Sequence, residues 1–119
     1  MLLTRRMEFS ASHRLEPEGT GFSHGHNYEL EVTLQGHVDA ETGMVIDLKE
    51  LKDLMDREVG VRFDHRDLND DTSWFSDQLP TAENFAQVIF QLLDGELPER
   101  LLARVRLSPT PDYTVEVAR

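Results

Sequence analysis

The chain has 119 residues, no cysteine, and 12 Lys and Arg against 23 Asp and Glu, for a net charge of −11. A chain of this length reads as a single domain over 1–119 that can bury its own core; without cysteine, disulfides, thiolate metal ligands and a cysteine nucleophile are excluded, which fits a reducing, cytoplasmic location. A surface this acidic repels nucleic-acid phosphates and anionic membranes, and neither a membrane span nor the apolar core of a signal peptide is expected, Met1-Leu2-Leu3 being soon followed by Arg5-Arg6.

In chain order, residues 2–13 read as a first strand, with Met7, Phe9, Ala11 and His13 on one face and Arg6, Glu8, Ser10 and Ser12 on the other. Pro17, Gly19 and Gly21 mark 14–23 as a loop. The longest period-2 run, 24–38, predicts a second strand in which Tyr28, Leu30, Val32 and Leu34 alternate with Glu29, Glu31, Thr33 and Gln35. A turn at 39–43 leads to a helix opened by Asp47, with Glu50 placed for a capping box. Its apolar stripe is Leu48, Leu51, Leu54, Met55 and Val59, and Gly60 is the expected stop. Residues 61–80 read as a loop pinned to the domain by Trp74 and Phe75. Thr81 caps a second helix with the stripe Phe85, Val88, Ile89, Leu92 and Leu93, ended by Gly95 and Pro98. Ala103, Val105 and Leu107 then alternate in a third strand, and Tyr113, Val115 and Val117 in a fourth, across a turn at 108–112. The order ββααββ predicts an α+β fold: an antiparallel sheet with both helices on one face and open edges that invite pairing with further copies.

The chemistry concentrates in Ser23-His24-Gly25-His26-Asn27-Tyr28. Two histidines two apart on a strand point to the same side, and His13 ends a strand of matching parity. Three neutral imidazoles leave a fourth tetrahedral position open, the arrangement of a catalytic zinc; the competing reading is a surface His-x-His pair. Asp64-His65 is a second candidate, an aspartate orienting an imidazole as general acid or base, which requires a turn because strand neighbours point apart. An anionic small substrate requires a local cluster of cations, for which Arg5, Arg6, Arg14, Arg62 and Arg66 are available.

Five segments now stand in order: Phe9-Ser10-Ala11-Ser12-His13-Arg14-Leu15, His24-Gly25-His26-Asn27-Tyr28, Thr42-Gly43-Met44-Val45-Ile46-Asp47, Asp64-His65 with Leu68-Asn69, and Pro80-Thr81-Ala82-Glu83-Asn84. Together they make the chain resemble the 6-pyruvoyltetrahydropterin synthase / 6-carboxytetrahydropterin synthase family. The resemblance implies the tunnelling fold, with ββααββ subunits closing into a trimeric barrel, barrels stacking into a hexamer, and active sites between subunits. It implies Zn2+ on His13, His24 and His26, proton transfer by Asp64 and His65, and a pterin pocket lined by the segment of Thr81 and Glu83. It implies lyase-like chemistry on 7,8-dihydroneopterin triphosphate, with zinc acting as a Lewis acid on side-chain oxygens.

Two departures make it a divergent member. The family's catalytic cysteine, a few residues before the HGH motif, is absent, and Glu18 is the nearest carboxylate that could serve as base, as a glutamate does in a variant of the family that releases 6-hydroxymethyl-7,8-dihydropterin. At the position of the family's pterin-anchoring glutamate stands Pro109, with Asp112 three residues on. The expected activity is therefore a zinc-dependent reaction on a dihydropterin or related heterocycle. The alternatives are the glutamate-type cleavage and a non-catalytic zinc-binding oligomer.

Overall fold

A computed structural model describes residues 1–15 and 22–119. Strands β1 (Leu2–His13) and β2 (His24–Gln35) pair antiparallel along their whole length, from Leu2 opposite Gln35 to His13 opposite His24. Strand β4 (Leu102–Thr110) pairs antiparallel with β2, and β5 (Tyr113–Ala118) with β4. The expected second strand stops at Gln35 rather than at 38; Gly36 closes its end by exchanging backbone bonds with Met1 at 3.1 and 3.2 Å, and a Cβ there would sit 2.9 Å from Leu101 Cδ1.

One strand escaped sequence reading. β3 (Arg66–Asp67) lies parallel to Ala11 and Ser12 at the outer edge of β1, so the sheet runs β3-β1-β2-β4-β5 and is not wholly antiparallel. Two residues carry no period, and nothing in the local pattern announces them.

The first helix also differs from expectation. Segment α1 (Leu48–Met55) runs on through a π-helical turn (Asp56–Gly60) into α2 (Val61–Phe63). Gly60 is right-handed helical and does not end the rod; a Cβ there would meet Met7 Cε at 3.7 Å, so the helix passes close over β1. The extra residue of the wide turn brings Glu58, Val59 and Phe63 onto the buried side that Leu51, Leu54 and Met55 begin. Leu48, placed on that stripe by its spacing, is 52% exposed. Asp47 is the N-cap, accepting from the Lys49 backbone N at 2.8 Å, and no return bond from Glu50 is found among the described residues. Helix α3 (Ala82–Asp94) is capped by Thr81, whose hydroxyl accepts from Asn84 N at 3.1 Å.

Both helices cover the same sheet face. Phe9, Ala11, Tyr28, Leu30, Val32, Leu34, Val105 and Leu107 meet Leu51, Met55, Val59, Phe63, Phe85, Ile89 and Leu93 in one buried cluster. Phe85 is its hub, with Phe9, Tyr28, Phe63 and Phe75 packed edge-on at centroid distances of 5.8, 5.3, 4.9 and 5.7 Å. The opposite sheet face is polar, with Glu31 held between Arg6 (2.7 Å) and Arg106 (3.2 Å). Among the described residues no helix is long and apolar enough to cross a membrane.

Candidate active site

The parity that buries Phe9 and Tyr28 also carries three imidazoles to one end of the apolar face. His13 and His24 form the last rung of the β1–β2 ladder, and His26 lies two rungs inward, opposite Ala11. The ring centroids of His13 and His26 are 4.8 Å apart, and those of His13 and His24 are 6.5 Å apart. His13 is buried, His26 half-buried and His24 exposed. Tyr28, fully buried and stacked on Phe9 at 5.2 Å, brings its hydroxyl to 3.1 Å from His13 Nδ1. Burial pushes the Tyr28 phenol well above its ordinary range. Burial also pushes His13 below its ordinary value of 6.5, with His26 and His24 adding to the fall while Asp67 and the Pro80 carbonyl oppose it. Imidazole trios are donor sets for divalent transition metals, although no group of three His, Asp or Glu side chains among the described residues is placed to hold a metal ion as it stands. The outlying ring is His24.

Asp64 and His65 occupy the turn that their pairing requires. Asp64 is extended at the end of α2, and His65 has φ 59°, a left-handed conformation uncommon for a residue with a side chain. Ser10 fixes both: its backbone N donates to Asp64 Oδ1 at 2.9 Å, and its carbonyl accepts from His65 N at 2.6 Å. His65 Nε2 then lies 3.6 Å from Asp64 Oδ2, with the ring largely in solvent. His65 opens on a cleft of about 490 Å³ that it shares with Ser10, Ser12, His26, Asn27 and Asp67. His26 and His65 thus line one cavity, which His13 and His24 do not line. Ser10 Oγ donates to Asn27 Oδ1 at 2.7 Å across its floor.

Asp67 was not singled out from the sequence, and the structure makes it a hub. Its carboxylate accepts from Ser12 Oγ (2.9 Å), Ser23 Oγ (3.3 Å) and the backbone N of Asn69 and Asp70 (both 3.0 Å). Burial alone raises its pKa, but these four donors outweigh it and hold the carboxyl below the ordinary range. Asn69 and Asp70 are its near neighbours, but Ser12 and Ser23 are distant in sequence, so no motif could have found those two.

The remaining predicted residues sit apart from this cleft. Thr81 spends its hydroxyl on the α3 cap, and Glu83 lies exposed in the first turn of that helix. Glu18 lies outside the described residues. Pro109 is buried in β4 and lines a second cleft of about 700 Å³ with Glu8, Asn27, Glu29 and Ser108; Asp112 is exposed in the β4–β5 turn. Trp74 packs on Phe63 at 5.4 Å under the guanidinium of Arg62, in agreement with a loop-anchoring role.

The family model described as 6-pyruvoyl tetrahydropterin synthase matches residues 2–119. The 6-pyruvoyl tetrahydrobiopterin synthase of Homo sapiens is 35% identical over an alignment of 131 positions covering 95% of this chain and 88% of that protein. A putative 6-carboxy-5,6,7,8-tetrahydropterin synthase of Archaeoglobus fulgidus is 36% identical over 122 positions, covering 100% of this chain and 96% of that one. The structure of 6-pyruvoyl tetrahydropterin synthase from Caenorhabditis elegans superposes with a TM-score of 0.90 at 31% identity, over 100% of this chain and 95% of its own.

Proposed function

The chain belongs to the 6-pyruvoyl tetrahydropterin synthase family, and on that premise we propose that it is a zinc-dependent, lyase-like cytoplasmic enzyme, a single domain over 1–119, acting on 7,8-dihydroneopterin triphosphate or a related heterocycle. The meeting of three imidazoles at the end of the β1–β2 ladder carries this reading.

The residues fit the metal. Metal–nitrogen bonds of about 2.0 Å in a tetrahedral site set ring centroids about 5 Å apart. His13 and His26, at 4.8 Å, already meet that spacing. His24 needs an inward movement of about 1.5 Å from its 6.5 Å separation, which an exposed ring at a strand end can make. His13, His24 and His26 would hold the ion, and Tyr28 would orient His13 from behind. Bound there, zinc supplies Lewis-acid polarisation of the substrate's side-chain oxygens.

The chain's own residues handle the protons. His65 takes and returns the proton at a substrate carbon, and Asp64, fixed by Ser10 N, stabilises the imidazolium that forms. Glu18 stands in for the absent cysteine as a second base, and Thr81 and Glu83 contribute to the pterin pocket in the assembled protein. The outer edges of residues 2–9 of β1 and of β5 have no strand beside them among the described residues, which supports closure into a trimeric or hexameric barrel.

Zinc-loaded protein incubated with 7,8-dihydroneopterin triphosphate, with products separated by chromatography and mass detection, tests the reading. A tetrahydropterin product is expected. A 6-hydroxymethyl-7,8-dihydropterin product would assign the glutamate-type cleavage, which the absence of cysteine favours. Neither turnover nor pterin binding would overturn the enzymatic reading and leave a zinc-binding scaffold.

A further inference from the structure

The three imidazoles come from the end of β1 and the start of β2, and among the described residues no ladder continues beyond the rung pairing His13 with His24. A metal site made this way depends on whatever fixes the strand termini. Ligand side chains must be held within roughly half an ångström to bind without a large reorganisation cost.

One carboxylate is in place to do this. Asp67 accepts a hydrogen bond from Ser12 Oγ at 2.9 Å and from Ser23 Oγ at 3.3 Å. Ser12 immediately precedes His13, and Ser23 immediately precedes His24. Strand neighbours point to opposite faces, so the two hydroxyls reach Asp67 on the polar side while the imidazoles that follow them turn to the apolar side. Asp67 is itself anchored: it lies in β3 opposite Ser12, its carboxylate accepts from Asn69 N and Asp70 N, and its own N–H donates to Asp71 Oδ2 at 2.8 Å. The turn at 67–71 is therefore a rigid base. From it a single side chain ties the end of β1 to the start of β2.

We propose that Asp67 is a positioning residue for the metal site, a carboxylate staple that holds the backbone of Ser12-His13 and Ser23-His24 at the separation the ion requires. It touches neither metal nor substrate, and it acts through two serines. This inference rests on the zinc reading above, and its test separates the two.

Zinc affinity of the full chain is measured by competition with a chromophoric chelator, and the visible absorption of the cobalt(II)-loaded protein is recorded alongside. Thermal unfolding of the metal-free protein serves as the fold control. For Asp67→Ala, zinc affinity is expected to fall about 10–100-fold, the range seen for residues that orient metal ligands, and the cobalt bands to weaken or shift. Ser23→Ala removes one exposed hydroxyl and cannot unfold the chain; a smaller loss of affinity is expected, with metal-free unfolding unchanged. Asp67→Asn keeps acceptor oxygen and should recover much of the lost affinity relative to Asp67→Ala. Wild-type zinc affinity in both Asp67→Ala and Ser23→Ala would overturn the staple while leaving the imidazole site standing. Absence of zinc binding in the wild-type chain would overturn the metal reading, and the staple with it. A fall in affinity matched by an equal fall in metal-free stability in every variant would make Asp67 a fold residue only and refute the proposal.

Discussion

Tyr28→Phe isolates the contact behind His13. The substitution removes one oxygen from a side chain with no solvent exposure and keeps the ring. Stacking on Phe9 at 5.2 Å and the edge contact with Phe85 at 5.3 Å survive. What is lost is the 3.1 Å bond to His13 Nδ1. His13 is 5% exposed, so water cannot easily replace the hydroxyl. A neutral hydrogen bond contributes about 1 kcal/mol, and an unsatisfied buried partner adds to the loss, giving about 1–2 kcal/mol for the metal-free protein. The effect on zinc should be larger in proportion, because the hydroxyl sets the ring's tautomer and tilt. A loss of about 10–100-fold in affinity is expected, equivalent to about 1.4–2.8 kcal/mol. Chelator competition gives the affinity; denaturation of metal-free protein at fixed concentration gives the stability. Affinity within about twofold of wild type, beside a clear loss of stability, would show that the bond serves the core and not the ligand.

Three further outcomes are expected. His24→Ala should abolish zinc binding yet leave the circular dichroism spectrum and oligomeric state unchanged, since the ring is exposed at a strand end; full zinc occupancy would remove His24 from the ligand set. His65→Ala should reduce turnover by about 100-fold or more, the usual contribution of a general base, with zinc content unaltered, and unchanged kcat would exclude His65 from proton transfer. The stability of metal-free protein should fall as pH drops below 6.5: His13 is held beneath that value in the folded chain, so the unfolded chain takes up its proton first and folding loses ground until the folded pKa is passed. Denaturant midpoints between about pH 5 and pH 7.5 measure this. A slope identical in His13→Gln would assign the effect elsewhere.

What the sequence made legible follows from period. β1 was readable to its last residue because Met7, Phe9, Ala11 and His13 alternate without interruption. The same parity puts His24 and His26 on the sheet face of His13. Thr81 announced the start of α3 because an N-cap is a local chemical event. What stayed hidden depends on contacts between distant segments. Ser12 and Asp67 are 55 residues apart, and β3 exists only because β1 offers it an edge. Gly60 reads as a stop from local propensity, but packing above Met7 lets the helix pass through it. The turn needed by Asp64-His65 was foreseen as a condition; its cause, two backbone bonds to Ser10, was not.

The wide turn at Asp56–Gly60 has a consequence for how this chain tolerates change in length. An inserted residue advances everything after it by about 100° around a helix axis. Phe63 and the Asp64-His65 turn therefore owe their azimuth to one surplus residue just upstream. Deleting any single residue of 56–60 would let an ordinary α-helix close there, with every backbone bond still made, and would swing the proton-handling pair off its anchor on β1. Substitutions in this segment are mild by comparison. A shortened chain would keep its helix content and lose its active-site alignment, so gaps in natural variants should avoid these five positions.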